Sequence, residues 1–134
     1  MLLARRIWNW CRRFRYRCGY GVHSPSDFFL ITSVIYEGLP YYAYDRLKAS
    51  SGLKSLPHYR EKVNRLLFRL VNYFRPVSLI EVGEGNGDSF RYMREARLSM
   101  KAVSLKGEDQ AETLRQLKVE LEKVEKLDFL HIAY

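Results

Sequence analysis

The sequence predicts an α/β protein in which a parallel sheet of about three strands follows a helical N-terminal region. From residue 77 onward, short apolar runs alternate with stretches of helical periodicity, and strands separated by helices pair in parallel. Before residue 77, apolar residues recur at helical spacing over most of the chain. After the first apolar run, Gly83, Gly85 and Gly87 alternate where a strand must turn tightly into a helix.

Residues 2–18 place Leu3, Ile7, Trp10, Cys11, Phe14 and Cys18 on one stripe, with Arg5, Arg12, Arg13 and Arg15 mostly off it and no acidic residue. This is a basic amphipathic helix, ended by Gly19-Tyr20-Gly21. An anionic membrane surface, RNA and an organelle-import receptor are all suitable partners. The plainer expectation is a stripe docked on the rest of the protein with its arginines solvated; Trp8, off the stripe, suits surface binding. Ser24 or Ser26 caps the next helix, with Pro25 favoured in the first turn. That helix runs through Phe28, Phe29, Ile31, Thr32 and Ile35 and stops near Gly38-Leu39-Pro40. Tyr41, Tyr42 and Tyr44 follow, and aromatics so spaced fill a core or stack on a flat substrate. Pro57 opens a helix with Val63, Leu66, Leu67, Leu70, Val71 and Phe74 on one face, and Pro76 ends it. It should cover one face of the sheet. Residues 78–83 read as the first strand, 88–98 as a helix, 101–105 as the second strand, 109–126 as an amphipathic helix and 127–134 as the third strand.

With 134 residues, 47% hydrophobic and 14% aromatic, the chain can bury one core and carry an arm. Arg69 breaks the longest apolar run, so no transmembrane helix is expected, and Arg5, Arg6, Arg12 and Arg13 interrupt any secretory leader. Cys11 and Cys18, two turns or about 10 Å apart on a helix, read as reduced thiols in a cytoplasmic protein. His23, His58 and His131 are scattered and there is no Cys-x-x-Cys, so no metal site is expected. The net charge of +8 is uneven. Residues 1–76 hold 14 Lys and Arg against 4 Asp and Glu, whereas residues 77–134 hold 9 against 11. Charge therefore divides the chain into a basic helical region, residues 1–76, and a near-neutral αβ unit, residues 77–134.

Chemistry concentrates at residues 79–90. Leu79, Ile80 and Val82 suit a buried parallel strand, and Glu81 precedes the first glycine by two residues. A dinucleotide fingerprint would read Gly-x-Gly-x-x-Gly; here the third glycine comes one residue early and Asp88 stands where glycine belongs. A carboxylate at Glu81 repels a pyrophosphate and suits a cationic ligand. A glycine-rich turn without a ligand is the alternative. The spacing Glu-x-Gly-x-Gly-x-Gly, with residues 21–25, 39–47, 65–76 and 127–132, resembles a bacterial group of class I S-adenosylmethionine (SAM) dependent methyltransferases, O-methyltransferase-like, with a helical N-terminal extension. The resemblance implies a partial Rossmann-like sheet and SAM as cofactor, lined by Glu81, Gly83, Gly85 and Gly87. Asp88 would open a helix whose N-terminus faces the methionine carboxylate. The resemblance also implies an acid at the end of the second strand, where Glu108 or Asp109 would serve, and an acid near the reacting centre, where Ala133 stands.

Methyl transfer to an unknown small-molecule acceptor, driven by proximity, is the first functional expectation, with His23, Tyr42 and Tyr44 as candidate bases. A shortened, catalytically inactive methyltransferase-like binding or regulatory module is the second. Because a complete sheet of that family has seven strands, the open edges here imply a homodimer or a sheet-completing partner. An adaptor for RNA or an anionic membrane surface, resting on residues 2–18, is the third.

Overall fold

The computed structural model describes residues 2–14, 17–50, 58–83, 87–107 and 109–133. The chain combines helices with a small three-stranded parallel sheet and divides into two compact units, Met1–Leu39 and Pro40–Tyr134. This division differs from the charge boundary at residues 76 and 77. The helix before the sheet carries basic residues on its outer surface, yet its apolar face packs with the strands.

In the first unit, α1 spans Leu2–Phe14. The expected helix does not run unbroken through residue 18, where Cys18 adopts a left-handed conformation with φ 56° inside a tight turn at Arg17–Gly19. Cys11 and Cys18 are both free and exposed. All described side chains of α1 are exposed, so its apolar stripe is not buried within the first unit. Ser24 caps α2, Pro25–Leu30, by accepting from the Asp27 amide at 3.4 Å, with Pro25 in the first turn. The helix then widens into a π-helical turn at Ile31–Ile35, where Thr32 returns its hydroxyl to the Phe28 carbonyl at 2.8 Å. β-Branched residues crowd a regular helix, and such hydroxyl back-bonding bends it.

In the second unit, α3 covers Tyr42–Ser50 and α4 covers His58–Phe74, followed by β1 at Ser78–Gly83 and α5 at Asp88–Ala96. The chain continues as β2 at Lys101–Leu105, α6 at Gln110–Lys123 and β3 at Phe129–Ala133. Pro57, expected to open α4, lies outside the described residues. Arg75, with φ 49°, turns the chain out of α4 just before Pro76. The first two strands match their expected bounds, while α5 stops two residues early, α6 is trimmed at both ends and β3 begins two residues late.

The strand order is β2-β1-β3, all parallel. Alternation along β1 sends Leu79 and Glu81 to one face and Ile80 and Val82 to the other. Leu79 meets Leu67 and Val71 of α4, Met93 of α5 and Met100 in one buried cluster. A second cluster joins Tyr44 and Leu47 of α3 to Phe68 of α4 and Tyr92 of α5. Thus α4 covers the sheet as expected, but through Leu67 and Val71, while Phe68 packs with α3 and α5 and Val63 and Phe74 remain exposed. At the amino end of the sheet, the Ser78 hydroxyl donates to the Lys126 carbonyl at 2.6 Å and accepts from the Asp128 amide at 3.1 Å. Asp128 in turn accepts from the Val77 amide at 2.8 Å. These bonds fix where β3 begins beside β1, and hence which residues face each other at the other end.

Candidate functional site

Chain connections leave β1 towards β2 on one side, while β3 lies on the other. In open α/β sheets, such a reversal leaves a crevice beyond the carboxyl ends of the strands, where ligands bind. The register places Glu81 between Ser104 of β2 and His131 of β3, and Gly83 beside Ala133. The acidic and glycine residues singled out from sequence therefore stand at the geometrically favoured end.

Glu81 is only 2% exposed, and its two oxygens are held by three side chains. Ser89 of α5 donates to Oε1 at 2.5 Å, Ser104 donates to Oε2 at 3.2 Å, and His131 Nδ1 lies 3.1 Å from Oε1. Burial on its own pushes the Glu81 pKa up. The hydrogen bonds from His131 and Ser89, the attraction of the His131 ring and the weaker Ser104 bond outweigh it, so the net shift is downward. An ionised Glu81 accepts and cannot donate. His131 must therefore carry its proton on Nδ1 in the neutral ring, which leaves Nε2 as the basic nitrogen.

Gly83 has φ 139°, and a Cβ there would lie 2.0 Å from the Ala133 carbonyl oxygen. Its lack of a side chain is thus used by the close approach of β3 to β1. Gly87, at φ 78°, caps α5 in the left-handed conformation, and a Cβ there would come within 3.2 Å of Lys106 Nζ. Asp88 begins α5, where an acidic group favours the helix dipole. It is 7% exposed, and its Oδ2 has no hydrogen-bond partner among the described residues. Native proteins rarely leave such an atom unmatched, so it marks the place where a donor is wanted. Gly85 and Glu108 lie outside the described residues. Asp109, the alternative to Glu108, caps α6 by accepting from the Ala111 amide at 3.0 Å.

The candidate bases are dispersed. Tyr44 is buried in the aromatic cluster, with its phenol donating to the Arg65 carbonyl at 3.4 Å and the Arg65 guanidinium 4.9 Å from its ring centre. Burial, the largest influence, raises its pKa, which opposes use as a base near neutral pH. Tyr42 is 99% exposed, with no burial to hold its phenol against a substrate. His23 is exposed and belongs to the first unit. Among the described residues, no three His, Cys, Asp or Glu side chains gather as metal ligands, and no helix is long and apolar enough to cross a membrane. Two open hollows occur at the opposite, amino end of the sheet, one against Val71, Arg75 and Arg97, the other against Phe74, Pro76 and Asp128. Neither touches Glu81.

Ser89, Ser104, Lys106 and His131 are the residues that sequence reasoning missed. Ser89 and Lys106 lie close enough to the glycines to be suspected. Ser104 and His131 reach Glu81 only through strand register, across 23 and 50 residues.

Comparison with protein-family models, curated proteins and solved structures finds no match to this chain.

Proposed function

We propose that the chain is a SAM-dependent methyltransferase-like protein of Rossmann-like design that holds its cofactor at the carboxyl end of β1. The single observation that carries this reading is the unpartnered, buried Asp88 Oδ2 at the start of α5, directly after the glycine joint. Glu81 is assigned a different part from the one its motif implies. Three neighbours already satisfy it, so it anchors the strand ends, and Asp88 offers the anionic contact to a cationic ligand. Lys106, close to Gly87, matches the carboxylate of the methionine moiety, as does the N-terminus of α5. When bound, such a cofactor supplies an activated methyl group on a sulfonium. The chain's own contribution is to orient the ligand and to offer His131 Nε2 as a proton acceptor beside the crevice.

A second reading, a methyltransferase-like binding or regulatory module without transfer, is favoured by Ala133 in the acid's place and by Tyr44 being committed to the core. In both readings the protein is cytoplasmic, with Cys11 and Cys18 reduced. Its open β3 edge, with Leu130 and Ile132 exposed, is covered by a second copy or another partner.

Calorimetric titration with SAM and with S-adenosylhomocysteine separates these outcomes. Saturable binding of both, with slow formation of S-adenosylhomocysteine as SAM gives its methyl group to water in the absence of the natural acceptor, supports the enzyme; binding without turnover supports the module. No binding at millimolar ligand overturns the cofactor assignment.

A further inference from the structure

The first unit carries an apolar surface of a different kind. On α1, at about 100° per residue, Trp10, Leu3, Phe14, Ile7, Ala4 and Trp8 fall within an arc of about 160°. Arg5 and Arg12 lie beyond the Trp8 border, Arg6 and Arg13 beyond the Trp10 border. Leu3 is 72% exposed and Trp8 70%, with Ile7, Trp10 and Phe14 also open to solvent. Trp8, which looked displaced from a narrow stripe, marks one rim of a wide one.

We propose that α1 is an interfacial anchor that lays this face into the surface of an anionic lipid bilayer. Three features select lipid. The helix contains no acidic residue, and the first acidic residue in the chain is Asp27, so its basic flanks match a negative surface. Tryptophan at both borders suits the level of the headgroups, where an amphipathic ring has one wet side and one dry side. Arginine stems can lie along the apolar boundary while the guanidinium groups reach phosphate. RNA recognition would want the aromatics and arginines interleaved on one face, for stacking beside phosphate contacts. Here they are segregated, and Leu3 and Ile7 offer a nucleic acid nothing.

The helix also needs a support. It has 13 residues, with Arg5 and Arg6 near its amino end, where positive charge opposes the dipole. Isolated helices of this length are marginal in water, and an anionic interface supplies both the apolar contact and the counter-charge that α1 lacks.

The anchor does not depend on the crevice at β1, and its test leaves that site untouched. The full chain is sedimented with vesicles of phosphatidylcholine containing about 30% phosphatidylglycerol, and tryptophan emission is followed. Expected are co-sedimentation with a blue shift, binding weaker by about tenfold on pure phosphatidylcholine, and a loss of about tenfold or more in Ile7→Glu. Arg5→Gln combined with Arg12→Gln should reduce only the preference for the anionic vesicles. Trp8→Gln with Trp10→Gln, followed by sedimentation alone, gives a second removal of the apolar face. Failure of the wild-type chain to sediment, or sedimentation unaffected by both apolar-face variants, overturns the proposal. So does binding to a single-stranded RNA that competes with the vesicles and survives Ile7→Glu.

Discussion

The carboxyl end of β1 and the helix α1 handle charge in opposite ways. At β1 a single carboxylate, Glu81, is taken inside and tied by Ser89, Ser104 and His131, so that each of its oxygens has an internal donor. On α1 four arginines stay outside, on the far side of a helix whose apolar residues also stay outside. The first arrangement makes the fold depend on each partner, because a buried charge or donor left alone costs its full desolvation. The second leaves the fold indifferent to its residues and reserves them for something outside the chain. Substitutions should therefore be costly at one and nearly silent at the other.

The largest effect is expected at Gly83→Ala. Its methyl group would overlap the Ala133 carbonyl and hold an unfavourable φ, so the cost is about 3 kcal/mol or more in chemical denaturation, with β3 losing amide protection first. Glu81→Ala should cost about 3 kcal/mol by stranding three part-buried partners. Its pH signature has a definite sign. The folded-state pKa lies below the ordinary value of 4.5, so the stabilisation is fully present above 4.5 and disappears as pH falls from there through the folded value. The stability gap between wild type and Glu81→Gln, measured by urea denaturation at stepped pH, should close in that window. A gap that widens on acidification would mean that Glu81 is protonated in the folded protein. Ser104→Ala, losing only the 3.2 Å bond, should cost about 1 kcal/mol. On α1, Ile7→Glu should shift the unfolding midpoint by no more than about 0.5 kcal/mol equivalent. A large destabilisation there would erase the contrast and place the stripe in a core.

Much of this contrast is legible in the residues. The bounds 78–83 and 101–105 follow from apolar runs between turn formers, and the segregation of arginine on residues 2–14 follows from helical spacing alone. Less legible is the role of each glycine. Gly83 looks like a ligand-approach position until β3 is in register beside it, and that register depends on the Ser78 and Asp128 clasp, formed across about 50 residues by residues with no motif of their own. His131 was hidden for the same reason, since an imidazole on an apolar strand says nothing of its partner until the strand order is known. The break before the end of the expected helix lies at a left-handed Cys18, a conformation that glycine usually takes and that the neighbouring Gly19 would have suggested one residue later. Of the tyrosines at residues 41, 42 and 44, the fold buries Tyr44 with Tyr41 packed against the same cluster and leaves Tyr42 in solvent, a division that their sequence spacing does not disclose.

The central claim is a division of labour at the crevice, with Glu81 holding the fold and Asp88 left for the ligand. Calorimetry of Asp88→Asn against SAM tests it most directly, alongside Ser104→Ala as a variant that loosens the Glu81 network. Asp88→Asn should keep its unfolding free energy within about 1 kcal/mol while binding weakens by about tenfold or more. Ser104→Ala should lose stability yet bind as wild type does. Undiminished affinity in Asp88→Asn, or binding lost in Ser104→Ala while that variant remains folded, would contradict the assignment.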